Sequence, residues 1–283
     1  MFIERRLTGE EFDLNYASGS AGGTPLIMLH GVTRRWQSFV PVLGDLSMRW
    51  HPFALDFRGH GKSANTTAGY LVNDYVADAV RLLEQFDEPV VLYGHSLGSM
   101  VAAAVAQQYP DHVRAIILED PPMQAMGQEI SQSVLHSFFR NMQQFTEDQR
   151  SVGAIAKDLA EIRLQDPQTG NETRLGDVRD AASLRFTASC LQKLDSNVLF
   201  PIIQGRWMEG YDAESVFRGI RCPALLLQAD ISAGGMLCDE DAAMIESLVS
   251  DLTRIKFLQT GHLIHWGQTQ KLINLITAFL ETV

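Results

Sequence analysis

The stretch Val90–Met100, VVLYGHSLGSM, decides the fold. A wholly apolar run of strand-forming residues, PVVLYG over 89–94, gives way to a serine held between Gly94 and Gly98. Directly after it, LGSMVAAAVAQQY over 97–109 is alanine-rich and stops at Pro110, which cannot continue a helix. Gly94-His95-Ser96-Leu97-Gly98 therefore reads as G-x-S-x-G on a sharp turn from a buried strand into a helix. Small residues two before and two after the serine avoid clashes in such a turn. The hydroxyl then projects from the top of the sheet, and the Leu97 N–H points at the place where an oxyanion would form.

Working outward, LIMLH (26–30), HPFALDF (51–57) and VRAIILED (113–120) are further short apolar runs bounded by turn residues. They read as buried strands. In 70–86, Leu71, Val72, Tyr75, Val76, Ala79, Val80, Leu83 and Phe86 recur at steps of three and four and predict an amphipathic helix. Strands separated by helices of this size imply a mostly parallel central sheet flanked by helices. After Pro121-Pro122 the strand signal vanishes for about a hundred residues, longer than ordinary connections. Ile130, Val134, Phe138, Met142 and Phe145 fall on one stripe, and 153–164 and 178–194 are helix-like, split by the turn-rich QDPQTGNETRLG. Strand patterns resume at PALLLQAD (223–230) and RIKFLQ (254–259), and an amphipathic helix fills 268–281. The expected organisation is an α/β core of residues 1–121 and 220–283, with an inserted helical lid at 122–219.

Composition narrows the functional class. The chain has 283 residues and a formal net charge of −11, which disfavours nucleic acid and anionic membranes as partners. No run of about 18 apolar residues predicts a membrane span, and the charged start MFIERRLTGEEF does not read as a signal peptide. Three cysteines without C-x-x-C spacing and eight histidines without H-E-x-x-H predict neither disulfide frame nor metal, and a cytoplasmic location. The expected partner is a small-molecule substrate. No cofactor is implied, and a homodimer is left open.

A serine hydroxyl needs a base. His262, in QTGHLIHW, follows the last strand in a glycine loop, where functional groups of parallel sheets collect. His265 is expected to pack beside Trp266, and His60 to pin the loop DFRGHGKS. His95 neighbours the serine; the sharp turn is expected to point its ring away, though its position keeps it among the pocket candidates. Gly31 after His30 lets backbone approach a ligand, and the N–H of Val32 offers a second oxyanion donor beside Leu97. Arg34 and Arg35, just past that strand, are expected as solvated surface residues, with a grip on a substrate carboxylate as the alternative.

Together LHG (29–31), DFRGHGKS (56–63), GHSLG (94–98), PDHVRAIILEDP (110–121), PALLLQAD (223–230) and GHLIHW (261–266) resemble the α/β-hydrolase superfamily, in its helical-lid esterase branch. The resemblance implies Ser96 as nucleophile, His262 as base, and the Val32 and Leu97 amides as oxyanion hole. A serine at 96 argues against the haloalkane dehalogenases and epoxide hydrolases, which use an aspartate there. The family's usual acid position, after the penultimate strand, falls on Ser232, with Asp230 two residues early. Asp120, ending the strand after the nucleophile helix, is the preferred acid and Asp230 its competitor. Asp239, Glu240 and Asp241 read as the acidic first turn of a helix. Phe138 and Met142 are candidate pocket walls. The expected activity is hydrolysis of a small, mainly apolar ester, thioester or lactone. C–C cleavage of a β-diketone-like substrate, or a non-catalytic ligand receptor on the same fold, are the alternatives.

Overall fold

A computed structural model describes residues 2–20, 22–165 and 170–283. Among the described residues there are ten strands: β1 (Ile3–Leu7), β2 (Leu14–Ser18), β3 (Pro25–Leu29), β4 (His51–Asp56), β5 (Val90–His95), β6 (Val113–Glu119), β7 (Arg163–Gln165), β8 (Glu172–Arg174), β9 (Ala224–Gln228) and β10 (Leu252–Lys256). Eight of them form one sheet in the order β1-β2-β4-β3-β5-β6-β9-β10. From β4 to β10 all neighbours run parallel, while β1 and β2 add an antiparallel edge. This is a mostly parallel sheet flanked by helices.

The period-two alternation of a strand divides the core by face. Ile27, Leu29, Val90 and Leu92 join one cluster with the helices Val72–Leu83 and Leu97–Gln108 and with residues of the 122–219 segment. Leu26, Met28, Val91 and Tyr93 point the other way, against the helices Val40–Leu46 and Thr269–Leu280. The helix Leu97–Gln108 is buried from Leu97 through Ala106, which is why its sequence is small and apolar all round.

Two stretches differ from the pattern expected from sequence. IERRL and LNYAS pair as the antiparallel edge, although charges in the first and polar residues in the second hide them from an apolar-run criterion. Between β6 and β9, the helices Val134–Gln143, Val152–Glu161 and Ala181–Leu191 match the helical stretches, but β7 and β8 form a small hairpin where the end of a helical stretch and then turns were expected. Its residues are exposed or half-buried and, apart from Leu164, polar, so no alternation marks them. Val134 is exposed, off the stripe that buries Ile130, Phe139 and Met142. No helix among the described residues is long and apolar enough to cross a membrane.

Candidate active site

Register carries three sequence-distant residues to one edge of the sheet. Leu29 pairs with Gly94, and His95 pairs with Glu119, so β3, β5 and β6 end flush. Gly31, Ser96 and Asp120 lie just beyond those carboxyl ends, where ligands of open parallel sheets bind.

Ser96 adopts φ 55°, ψ −118°, a left-handed conformation costly for a residue with a side chain. Its surroundings leave no alternative. A Cβ on Gly94 would stand 2.1 Å from the Gly98 carbonyl oxygen, and one on Gly98 would stand 1.9 Å from the Leu29 carbonyl oxygen. Ser96 N–H donates to Glu119 O at 2.9 Å, and Ser99 Oγ donates to Gly94 O at 2.6 Å, holding the turn from both sides. Leu97 opens the helix, where first-turn N–H groups have no intrahelical acceptor. At β3, a Cβ on Gly31 would meet His95 Nδ1 at 2.9 Å and Ser96 Cβ at 3.0 Å, so glycine is what lets this strand end approach the serine. The chain then turns tightly, with Thr33 at φ 62° and Arg34 N–H donating to Gly31 O at 3.1 Å.

His262 Nδ1 pairs with Asp120 Oδ2 at 2.7 Å, and the Asp120 carboxylate is fully buried. Three backbone N–H groups also donate to that carboxylate: Met236 to Oδ2 at 2.8 Å, and Ala229 and Leu237 to Oδ1 at 3.0 and 3.2 Å. Together with His262 they leave the carboxylate no freedom to turn. Asp120 is itself in left-handed backbone, at φ 47°. Asp230 is engaged elsewhere: its side chain accepts from Ser232 N at 2.9 Å, Ser232 Oγ at 2.7 Å and Gln259 N at 2.8 Å. Those bonds hold its pKa below the usual carboxylate value and make it a loop clasp, so the competitor acid is not at His262.

Ser96 and His262 line one narrow cavity of about 50 Å³ with Val32, Thr33, Arg34, His95, Met126, Phe138, Phe139, Arg179, Met236 and Leu263. No hydrogen bond joins Ser96 to His262 among the described residues, and unliganded catalytic contacts are often long. Of the expected pocket residues, Phe138 and His95 line the cavity, whereas Gly31 and Met142 do not. Met142 is completely buried in the core instead, one turn of helix away from Phe138 and Phe139.

The histidines beside His262 differ from expectation. His95 does not swing clear: its ring lies 4.6 Å from that of His262, and its Nε2 bonds the His262 carbonyl oxygen at 3.0 Å. Burial, with His262 and His265 adding to it, pushes its pKa well below 6.5, so it stays neutral. His265 does not stack on Trp266. It is wholly buried, with Nδ1 2.8 Å from Glu119 Oε1 and Nε2 3.0 Å from Ser38 Oγ, and Tyr93 OH donates to the other Glu119 oxygen. This second Ser-His-carboxylate cluster lies under the floor and is closed to solvent. Its sequence signal is the pair Glu119-Asp120, two acids ending an apolar strand.

Arg34 and Arg35 are half-buried, not solvated. They dock on the helix Ala181–Leu191, where Arg34 Nη1 donates to Thr187 Oγ1 at 2.8 Å and Arg35 Nη2 to Ser189 Oγ at 3.2 Å. Arg179, which the sequence reading did not single out, reaches the cavity from the same segment.

Comparison with known proteins agrees with this fold. Over 121 residues the chain is 36% identical to 2-(acetamidomethylene)succinate hydrolase of Mesorhizobium japonicum, a match covering 42% of this chain and 43% of that one. The aligned stretch is thus less than half of that relative's length. The crystal structure of an E-2-(acetamidomethylene)succinate hydrolase superposes with a TM-score of 0.78 at 23% identity, covering 99% of this chain and 100% of the other. An enol-lactonase from Burkholderia xenovorans LB400 superposes with a TM-score of 0.73 at 14% identity, over 96% and 98% of the two chains. At these identities the superpositions speak for fold alone. The sequence profile of the alpha/beta hydrolase fold matches residues 24–268, and the chain belongs to that family of hydrolases.

Proposed function

We propose that the chain is a serine hydrolase that cleaves a small ester, thioester or lactone through an acyl-enzyme on Ser96. In this reading Ser96 Oγ attacks the carbonyl carbon while His262 Nε2 takes its proton. Asp120 keeps the other proton on His262 Nδ1 and stabilises the imidazolium. The N–H groups of Val32 and Leu97 receive the oxyanion. Collapse of the tetrahedral intermediate breaks the bond to the leaving group, which takes the proton from His262. Water, deprotonated by His262, then releases the acid and restores the Ser96 hydroxyl. The segment 122–219 acts as the lid, with Met126, Phe138, Phe139 and Arg179 forming its side of the cavity.

The observation that carries the reading is the His262–Asp120 pair. A carboxylate held by three backbone donors orients an imidazole that shares a cavity with a serine on a strained turn. The curated relative named as a hydrolase supports hydrolytic chemistry.

The test combines a fluorophosphonate label with p-nitrophenyl esters of increasing chain length, lactones and a β-diketone. Wild-type protein labels on Ser96 and hydrolyses at least one acyl substrate; Ser96→Ala does neither, since losing the nucleophile costs up to about a millionfold in kcat. Labelling that persists in Ser96→Ala, or activity above about a hundredth of wild type, refutes the assignment. Turnover of the β-diketone alone moves the reaction to C–C cleavage by the same residues.

A further inference from the structure

The cavity at Ser96 holds positive charge that acyl transfer from an apolar ester does not use. Arg34 follows Val32 by two residues and lines the cavity together with Ser96, Val32 and His262, and Arg179, just before the helix Ala181–Leu191, lines it too. None of the lining residues is acidic. Arg34 is held in place by neutral groups: the 2.8 Å bond to Thr187 and the Phe186 ring, whose centre is 5.9 Å from the guanidinium carbon. Among the described residues neither arginine forms an ion pair with a carboxylate. Asp180 adjoins Arg179 in sequence, but its Oδ1 caps the next helix by accepting Ser183 N–H at 2.8 Å. Asp120 is committed to His262 and three backbone donors.

A half-buried cation without a counter-charge loses hydration that one neutral hydrogen bond and an aromatic ring replace only in part. Burial, with Arg179 pushing the same way, brings the Arg34 pKa down to about 10, which still leaves it charged at neutral pH. Arg35 serves a different purpose. It lies outside the cavity lining and donates to Ser189. A planar guanidinium with free N–H groups beside an acyl-transfer site matches the fork geometry of a carboxylate.

We propose that Arg34, with Arg179 in the same cavity, forms a subsite for a substrate carboxylate, so that the preferred substrates are small acyl compounds carrying a negative charge. The inference rests on Ser96 as the nucleophile and adds the substrate class. Because Arg34 stands two residues past the oxyanion donor Val32, the carboxylate sits close to the scissile carbonyl. The narrowness of the cavity favours a short spacer between the two groups. The carboxylate is bound and not transformed.

The experiment measures how fast a fluorophosphonate labels Ser96 in the presence of glutarate or of neutral dimethyl glutarate. Alongside it, methanol release gives kcat/KM for monomethyl glutarate and for dimethyl glutarate. Glutarate is expected to protect Ser96 in wild type and dimethyl glutarate not, with the charged monoester favoured at least about tenfold, as charge-assisted hydrogen bonds suggest. In Arg34→Gln the protection disappears and the charged-to-neutral ratio falls about tenfold or more. Arg34→Lys, which keeps the charge but not the fork, retains part of both. Normal labelling of Ser96 without protection by glutarate, or with equal protection in Arg34→Gln, overturns the subsite and leaves the hydrolase reading standing. Absence of labelling in wild type overturns the hydrolase reading itself. Protection is read whether or not the methyl esters turn over, and Arg179→Gln supplies the same test if Arg34→Gln does not fold.

Discussion

Replacing Asp120 with asparagine separates the chemistry of this site from its architecture. The carboxylate accepts four hydrogen bonds, two at each oxygen: Ala229 N and Leu237 N at Oδ1, Met236 N and His262 Nδ1 at Oδ2. An amide keeps only one oxygen. Placed at the Oδ1 position, that oxygen retains two backbone donors, and the NH₂ group then faces Met236 N–H and His262. The opposite flip leaves two backbone donors unsatisfied, so the first orientation is favoured. One buried N–H loses its acceptor, a destabilisation of about 1–3 kcal/mol. His262 suffers a different change. With an NH₂ donor at its Nδ1, the neutral ring carries its proton on Nε2 and has no lone pair to offer Ser96. The expected loss in kcat is up to about 10⁴, roughly 5 kcal/mol of barrier. Ester turnover gives the first quantity and urea unfolding the second. Asp230→Asn is the control: its exposed loop bonds predict less than about 1 kcal/mol and little change in kcat. Should Asp120→Asn remain within about tenfold of wild type while Asp230→Asn collapses, the reasoning fails.

The remaining expectations are structural. Gly98→Ala forces a Cβ to 1.9 Å from the Leu29 carbonyl oxygen, so the strand and helix must part; a loss of at least about 3 kcal/mol, or insoluble protein, is expected, and a Tm within a few degrees of wild type would contradict the packing. His60 is wholly buried, and burial lowers its pKa to about 4. Because the unfolded chain takes up that proton near pH 6.5, the contribution of His60 is intact above 6.5 and is lost as pH falls toward 4. The loss runs at about 1.4 kcal/mol per pH unit, roughly 3 kcal/mol in all. The stability difference between wild type and His60→Gln should narrow by that amount from pH 7 to pH 4; denaturant melts showing a constant difference would exclude it. Working with the pair removes opposing groups such as Asp56, which burial raises to about 6 and which stabilises the fold as pH falls.

Much of this molecule follows from local rules that a sequence displays. Two glycines around a serine, after an apolar run and before an alanine-rich one, specify a strand-turn-helix because other residues collide there. Helix periodicity and buried parallel strands are likewise written in contiguous residues, and the core elements match the expected ones within a few positions. The charged edge strand β1 and the polar hairpin β7–β8 escape such rules, since neither buries a repeating face. What tertiary structure alone decides is which distant groups meet. Asp120 faces His262 because the register of β5 and β6 sets His95 beside Glu119, and because the backbone of residues 229–237 folds back to donate to its carboxylate. Asp230, equally plausible in sequence, turns into its own loop. Arg34 reads as a surface cation, yet Phe186 and Thr187, more than 150 residues away, close over it. A carboxylate or guanidinium costs too much to bury without specific partners, and those partners are supplied by contacts across the fold that no local pattern encodes.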